Sequence, residues 1–363
     1  MSRALAWVRP EVQGLSAYRV PEVGEALKLD AMENPYAWPE DSLRAAWLEA
    51  LAGVSANRYP DPRARPLSDA LRRHTGVARG QGLLLGNGSD ELIQLITLGL
   101  ARPGAVVLAP EPTFVMYRMI ATFCGLEYVG VPLGEAFALD VPAMEAAIER
   151  HDPAVVFLAW PNNPTGNLWP RADVERVIAR ARGLVVIDEA YQPFAGESFV
   201  GDLSRWDHVV VLRTLSKLGL AGLRLGFLAG PSEWLDEFDK LRLPYNINVL
   251  TQASAGFALE HFDRLEAQAA TIRAERDRLA QALGALPDVR VFPSAANFLL
   301  LQLPSGWARP VFEGLFAEGV LIKCLDGAHP RLSDCLRVTV GTPEENARFE
   351  RALARQLESS ATA

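Results

Sequence analysis

The stretch that decides the fold is RTLSKLGLAGLRLG, residues 213–226. Small and apolar residues flank Lys217, so its amine is poorly solvated, and poor solvation lowers the pKa of an amine. A lysine with a lowered pKa is uncharged often enough to form a Schiff base. Ser216 places a hydroxyl beside it, and Arg224 offers a guanidinium fork suited to phosphate. The stretch therefore predicts covalent amine chemistry next to a phosphate.

Lysine is rare elsewhere in the chain. Of 36 basic residues only four are lysines, Lys28, Lys217, Lys240 and Lys323. Lys28 and Lys240 have charged near neighbours, which is typical of solvated surface residues. Lys217 is therefore the one strong candidate for covalent amine chemistry.

On both sides of residues 213–226, from about residue 83 to residue 230, short apolar runs alternate with segments of helical spacing. The runs cover 83–85, 105–109, 127–131, 155–159, 184–187, 209–212 and 225–229. This alternation is typical of βαβ units in which each strand is buried on both faces. It predicts an α/β fold with a mostly parallel seven-stranded sheet flanked by helices.

The sequence pattern changes after Pro231. A polar break at 244–246 precedes a long amphipathic stretch over 249–286, which predicts an interdomain helix. Strand-like runs at 289–292, 297–303, 320–323 and 336–340 then predict a smaller α+β domain. We expect a large domain over 41–248 and a small domain formed by 1–40 and 249–363.

Composition excludes several classes of protein. The 363 residues correspond to about two domains of roughly 150 residues each. The net charge is −8 with no basic block, which argues against nucleic acid as the main partner. No secretory signal or bilayer-spanning run is indicated, so a cytoplasmic location is expected. Three widely spaced cysteines predict neither a disulfide framework nor structural zinc, and no metal site is expected.

A glycine-rich turn, GNGSDE at 86–91, follows the first predicted strand of the sheet and precedes a helix. Glycines allow close backbone approach, and the helix N-terminus favours an anion, so the turn indicates a phosphate site. Glu91 replaces the third glycine of a dinucleotide fingerprint, which argues against a nicotinamide oxidoreductase. The alternative is an ordinary helix start capped by Ser89 or Asp90.

Two further polar segments follow predicted strands. Asp188 and Tyr191 come directly after 184–187, where an acid binds a metal or a cationic ring nitrogen, or simply caps the next segment. Asn162 and Asn163 lie in PNNPTG at 161–166. Their amides are placed to reach a ligand oxygen, although a tight turn alone explains the same residues.

Together with Tyr59-Pro60-Asp61, EPTF at 111–114 and CLRVTVGT at 335–342, these segments resemble the fold-type I aminotransferases that depend on pyridoxal 5′-phosphate. Within that group the chain is most similar to the histidinol-phosphate aminotransferases. The resemblance covers nearly the whole chain. Each motif is weak alone, but together, in the family's order and spacing, they are specific.

The resemblance implies a role for each candidate site residue. Lys217 forms the Schiff base with the cofactor and then acts as general base. Asp188 pairs with the pyridine nitrogen, and Asn163 and Tyr191 lie at the ring's phenolic oxygen. The cofactor phosphate is bound by Ser89, Asp90, Ser216 and Arg224.

Two aromatic positions and three substrate positions also follow from the resemblance. Phe114 stacks on the cofactor ring where the family usually has tyrosine, and Tyr59 reaches the phosphate from the neighbouring subunit of a homodimer. Arg337 anchors the substrate, Tyr18 contacts the substrate's phosphate, and Lys323 stands where many relatives carry arginine.

The implied reaction transfers the amino group of L-histidinol phosphate to 2-oxoglutarate, giving glutamate, in histidine biosynthesis. An aromatic amino-acid aminotransferase and a phosphothreonine decarboxylase share the fold and cofactor and stay open as alternatives. A noncatalytic amine-sensing protein is a remote alternative, because such proteins usually carry a DNA-binding module and this chain has no basic recognition helix.

Overall fold

The structure is a computed structural model that describes residues 3–17 and 24–361. In chain order the helices are α1 (Pro10–Gln13), α2 (Asp41–Ala52), α3 (Arg65–Thr75), α4 (Ser89–Gly99), α5 (Val115–Cys124), α6 (Val141–His151), α7 (Arg171–Arg180), α8 (Gln192–Ala195), α9 (Ser232–Asp239), α10 (Val249–Glu260), α11 (Phe262–Gly284), α12 (Ala308–Ala317) and α13 (Pro343–Ala361).

The strands are β1 (Leu27–Lys28), β2 (Gly82–Gly86), β3 (Val106–Glu111), β4 (Glu127–Pro132), β5 (Val155–Ala159), β6 (Leu184–Asp188), β7 (Val209–Thr214), β8 (Gly226–Gly230), β9 (Arg290–Val291), β10 (Phe298–Gln302), β11 (Val320–Leu321), β12 (Lys323–Cys324) and β13 (Cys335–Thr339). A single π-helical turn, Ser216–Leu220, follows β7.

The central sheet contains seven of these strands in the order β2-β8-β7-β6-β5-β3-β4. Strand β8 runs antiparallel to both of its neighbours, while the pairs from β7 to β4 are parallel. The predicted α/β fold with a mostly parallel seven-stranded sheet is therefore confirmed.

Burial on both faces explains why these segments form strands. All five residues of β5 and of β6 are buried. Because side chains alternate along a strand, Val185 and Ile187 join the hydrophobic cluster on one face, while Leu184 and Val186 join the cluster on the other. Parallel strands covered by helices on both sides need this continuous apolar pattern.

Two smaller sheets lie outside the central one. Strands β12-β13-β10-β9 form an antiparallel sheet, and β1 pairs in parallel with β11. The pairing of Leu27 with Val320 joins the N-terminal segment to the C-terminal part of the chain. On this pairing we propose the domain boundaries expected above, 41–248 for one domain and 1–40 with 249–363 for the other.

The expected long helix over 249–286 is instead two helices, α10 and α11. The chain leaves helical geometry at His261, which has φ −113° and ψ 34°. The His261 ring packs against Phe257, with ring centroids 4.7 Å apart. The apolar pattern continues through the break, so periodicity alone does not locate it.

No helix within residues 3–17 and 24–361 is long and apolar enough to cross a membrane. The three cysteines are free thiols.

The start of β8 supports the loop that precedes α4. A Cβ on Gly226 would lie 2.8 Å from the carbonyl carbon of Gly88 and 2.9 Å from the amide nitrogen of Ser89. Both neighbours are backbone atoms, which cannot swing aside. Only glycine therefore fits here without moving the loop.

We expect Gly226→Ala to lower the free energy of unfolding by about 1–3 kcal/mol, because the added methyl displaces backbone. Urea unfolding monitored by tryptophan fluorescence measures the effect. Gly201→Ala is the matched control, since nothing lies within 4 Å of its Cβ position. Equal stability of the two variants would contradict this account.

Candidate active site

The carboxyl ends of β5, β6 and β7 and the start of α4 enclose one pocket. Parallel strands present their carboxyl ends at one sheet edge, so residues far apart in sequence meet there. The pocket lining includes nine residues expected from the sequence: Ser89, Asp90, Phe114, Asn163, Asp188, Tyr191, Ser216, Lys217 and Arg224. It also includes Met32 and Thr214, which the sequence reasoning missed.

Lys217 lies in the π-helical turn after β7. Its Nζ donates a hydrogen bond to the carbonyl of Ala31 at 3.1 Å and lies 5.9 Å from the ring centroid of Tyr191. Burial, assisted by the positive charge of Arg337, lowers the pKa of Lys217 to about 8. The amine is therefore partly neutral near physiological pH, as a nucleophile requires.

Asp188 ends β6 and is buried at the base of the pocket. Its Oδ1 accepts a hydrogen bond from the amide of Ala190 at 3.0 Å. Its Oδ2 accepts one from the hydroxyl of Tyr117 at 2.6 Å. Burial raises the pKa of Asp188 to about 6, although the Tyr117 hydrogen bond opposes the rise. A buried carboxylate of this kind is suited to a cationic partner.

The sequence reasoning missed Tyr117. It follows Phe114 by three residues, at the start of α5. Positions i and i+3 share a helix face, and this spacing was the signal available in the sequence.

Asn163 links two parts of the site. Its Nδ2 donates to the hydroxyl of Tyr191 at 3.0 Å, and its Oδ1 accepts from Nη1 of Arg337 at 2.6 Å. Burial raises the pKa of Tyr191 well above its usual value, so this phenol stays protonated. Asn162, by contrast, points away and donates to the carbonyl of Pro112 at 3.0 Å, so it stabilises the turn.

The loop before α4 has the features of an anion site. Gly88, at φ 82°, precedes the helix, and no side chain within the described residues caps it, so the capping alternative is wrong. A Cβ on Gly88 would lie 2.6 Å from Nη2 of Arg224. The absence of a side chain at Gly88 therefore lets the Arg224 guanidinium approach the start of α4, whose first amides are free to bind an anion.

Arg224 faces this loop from the opposite side. Its Nη1 donates to Oγ of Ser216 at 3.4 Å, and its Nη2 is 3.9 Å from Oδ2 of Asp90. Oδ1 of Asp90 is buried without a hydrogen-bond partner among the described residues. Burial raises the pKa of Asp90, against the attraction of Arg224.

Residues 30–34 border the pocket and tie it to other elements. Arg337 donates to the carbonyl of Asp30 at 3.0 Å. The amide of Met32 donates to Oγ1 of Thr339 at 2.9 Å. Asn34 donates to the carbonyl of Leu218 at 3.0 Å, in the same turn as Lys217.

The remaining predicted residues lie outside this pocket's lining. Arg337 is buried on β13, and the exposed Lys323 is directly opposite it on β12, so both side chains emerge on one face. Tyr59 is 80% exposed and stacks on Tyr245, with ring centroids 4.4 Å apart. Tyr18 lies outside the described residues.

Within residues 3–17 and 24–361, no group of three or more His, Cys, Asp or Glu side chains is arranged to hold a metal ion.

The chain belongs to the class I and II aminotransferases, whose family model matches residues 25–353. Within that class it is 54% identical to histidinol-phosphate aminotransferase 2 of Nitrosococcus oceani over 351 residues, 97% of each chain. It is 56% identical to histidinol-phosphate aminotransferase 1 of Burkholderia lata over 347 residues, covering 95% of this chain and 96% of the relative.

A solved structure gives the same result for the fold. Histidinol-phosphate aminotransferase from Sinorhizobium meliloti, solved in complex with pyridoxal-5′-phosphate, superposes with a TM-score of 0.86 at 26% identity. The match covers 99% of this chain and 98% of that one. The resemblance identified from the sequence motifs is therefore confirmed at the level of the family.

The lowered pKa of Lys217 predicts how this residue reacts with a small acylating reagent. With a pKa of about 8, against about 10.4 for an exposed lysine, its neutral fraction at pH 7 is about two-hundredfold larger. On protein cleared of bound small molecules, we expect the acylation rate of Lys217 to level off above about pH 8.

Peptide mass spectrometry measures the acylation of each lysine separately. Lys240, an exposed lysine paired with Glu237, is the internal control, and its pH profile should differ from that of Lys217. Parallel pH profiles for the two lysines would contradict the assignment.

Proposed function

We propose that this protein transfers the amino group of L-histidinol phosphate to 2-oxoglutarate, with pyridoxal 5′-phosphate as cofactor, in histidine biosynthesis. The observation that carries the proposal is the shared pocket of Lys217, with a lowered pKa, and Asp188, with a raised one. Relatives that are 54% and 56% identical carry the matching name. A cytoplasmic location remains part of this proposal.

The residues of the pocket fit the cofactor at three points. The buried Asp188 carboxylate suits a protonated ring nitrogen. The uncapped start of α4, together with Ser216 and Arg224, suits a phosphate. Tyr191 and Asn163 provide hydrogen-bonding groups for the ring's phenolic oxygen.

When bound, the cofactor supplies the electron sink that stabilises negative charge at the substrate carbon. Lys217 would hold the cofactor covalently through Nζ. Once the substrate amine has displaced it, the same Nζ would take the proton from the substrate carbon and return it two atoms further along, at the cofactor carbon to which Nζ had been joined. The low pKa of Lys217 keeps Nζ able to accept that proton.

Asp188 contributes by keeping a negative charge at the base of the pocket, so that the ring nitrogen stays protonated. Phe114 borders the same pocket and meets the Tyr117 ring edge-on, with centroids 5.6 Å apart. We propose that the Phe114 ring stacks on the cofactor and contributes through area alone, since it carries no hydroxyl.

Arg337 and Lys323 form the proposed substrate site. Two cations directly opposite each other on neighbouring strands repel, and an anionic ligand between them removes that cost. No carboxylate of the described chain forms an ion pair with Lys323, so its charge is available to a substrate. Both histidinol phosphate and 2-oxoglutarate carry the required anion. Tyr18 is proposed to help bind the phosphate.

A single-turnover experiment tests the substrate. Purified holoenzyme is mixed without keto acid with L-histidinol phosphate, phenylalanine or phosphothreonine, and cofactor absorbance is followed. We expect histidinol phosphate to convert the cofactor to its amine form fastest. Lys323→Ala should slow that conversion about tenfold through loss of a charged contact.

Each other outcome assigns a different activity. Faster conversion by phenylalanine would move the function to aromatic amino acids. Release of carbon dioxide from phosphothreonine would make the protein a decarboxylase. Normal turnover by Lys217→Ala would rule out the assigned nucleophile.

We also propose that the protein is a homodimer in which Tyr59 completes the partner's site. Tyr59 does not line the pocket of its own chain, and its ring is 80% exposed above Tyr245. An exposed pair of stacked aromatic rings fits a surface that a second copy covers.

Mixing two inactive variants tests this sharing. Tyr59→Ala and Lys217→Ala are unfolded together and refolded at equal concentrations, with cofactor kept limiting. In a mixed dimer one site keeps both wild-type residues, so activity should return to about a quarter of the wild-type value. If Tyr59 acts within its own chain, mixing restores nothing.

A further inference from the structure

Tyr117 lies next to the pocket, in contact with Asp188, and has no role in the reaction as described so far. The hydroxyl of Tyr117 donates to Oδ2 of Asp188 at 2.6 Å, and the side chain is only 1% exposed. No water can replace this hydrogen bond without displacing packed side chains. The contact is therefore permanent in the folded protein.

The Tyr117 ring is held rigidly on both sides. It stacks on Phe157 of β5, with centroids 4.6 Å apart and planes at 11°. Its other side meets Phe114 at 86°. The amide of Tyr117 also donates to the carbonyl of Phe114 at 3.2 Å, so one helical turn fixes both aromatic residues.

Asp188 is left with a defined orientation. One carboxylate oxygen is taken by Tyr117 and the other by the amide of Ala190, which fixes the plane of the carboxylate. Asp188 also lines the pocket, so its carboxylate borders the space that a ligand would fill. Rotation of the carboxylate would cost both hydrogen bonds in a buried, poorly solvated place.

We propose that Tyr117 is a positioning residue: its hydroxyl holds the Asp188 carboxylate ionised and oriented toward the ring nitrogen of the cofactor. This inference rests on the proposed function. Through Tyr117, helix α5 would then influence the protonation of the cofactor's ring nitrogen, in addition to the stacking provided by Phe114.

The charges around Asp188 explain why such a residue is needed. Burial and the negative charges of Asp90 and Glu189 favour the neutral acid, whereas the hydrogen bonds from Tyr117 and Ala190 favour the carboxylate. Glu189 is itself neutralised by Arg213 at 2.8 Å. The other titratable groups that face the pocket are Tyr191, Lys217 and Arg224. Among the interactions that favour the carboxylate, the Tyr117 hydrogen bond is the largest.

Tyr117→Phe tests the inference in the holoenzyme, because it removes the hydroxyl and keeps the ring. A less ionised Asp188 stabilises the ring-nitrogen proton less, which makes the cofactor's bond to Lys217 more basic. We expect the pH midpoint of the cofactor's absorbance change to rise by about one unit. Cofactor affinity should fall about tenfold through loss of a hydrogen bond to a charged group.

Two further variants separate positioning from structure. Tyr128→Phe removes the hydroxyl of a half-buried tyrosine, on β4 near Glu111, and should leave the midpoint and the affinity unchanged. In an Asp188→Asn background, Tyr117→Phe should produce no further change of the midpoint, since the two residues act as one unit.

The outcomes distinguish this inference from the proposed function. If the wild-type protein binds the cofactor and Tyr117→Phe keeps the wild-type midpoint and affinity, the inference is overturned and the proposed function stands. If the Tyr117→Phe effect persists undiminished in the Asp188→Asn background, Tyr117 does not act through the carboxylate. A wild-type protein that acquires no cofactor absorbance overturns both.

Discussion

Burial of opposite charges at one sheet edge is the constraint on which the rest of this structure depends. Asp188 ends β6, and Lys217 lies in the turn after the neighbouring parallel strand β7. The surrounding apolar core excludes most solvent from both side chains. Each forms a hydrogen bond with an element far away in sequence: Asp188 accepts one from Tyr117 on α5, and Lys217 donates one to the carbonyl of Ala31. The helices and the N-terminal segment therefore secure two ionisable groups as well as packing the sheet.

The central fold was predictable because its strands are apolar on both faces, and few folds can bury such strands. Runs such as Val155–Ala159 and Leu184–Asp188 are apolar on both faces, which only a sheet covered on both sides can bury. The residues at their carboxyl ends follow from the same logic. The helix break at His261 was not predictable, because the apolar spacing runs on through it and only the backbone angles locate it.

The candidate site divides in the same way. Lys217, Asp188 and Asn163 carry their signal in local sequence, since each lies in a short motif directly after a strand. No local motif identifies Tyr117 apart from its spacing from Phe114, because its hydrogen-bond partner, Asp188, is 71 residues away in the chain. The Ala31 carbonyl carries no signal at all, since every residue has one. Contacts made by backbone atoms or across large sequence separations need the folded structure.

The segment at residues 30–34 has a consequence for anyone who engineers this chain. Its backbone carbonyls accept hydrogen bonds from Lys217 and Arg337. The side chain of Asn34 donates a hydrogen bond to the turn that contains Lys217. An N-terminal truncation or fusion that disturbs this segment would lower the catalytic rate, although the central sheet would keep its packing. Such a protein would express and fold normally yet look like an inactive homologue, so a negative assay on a shortened clone says little about the enzyme.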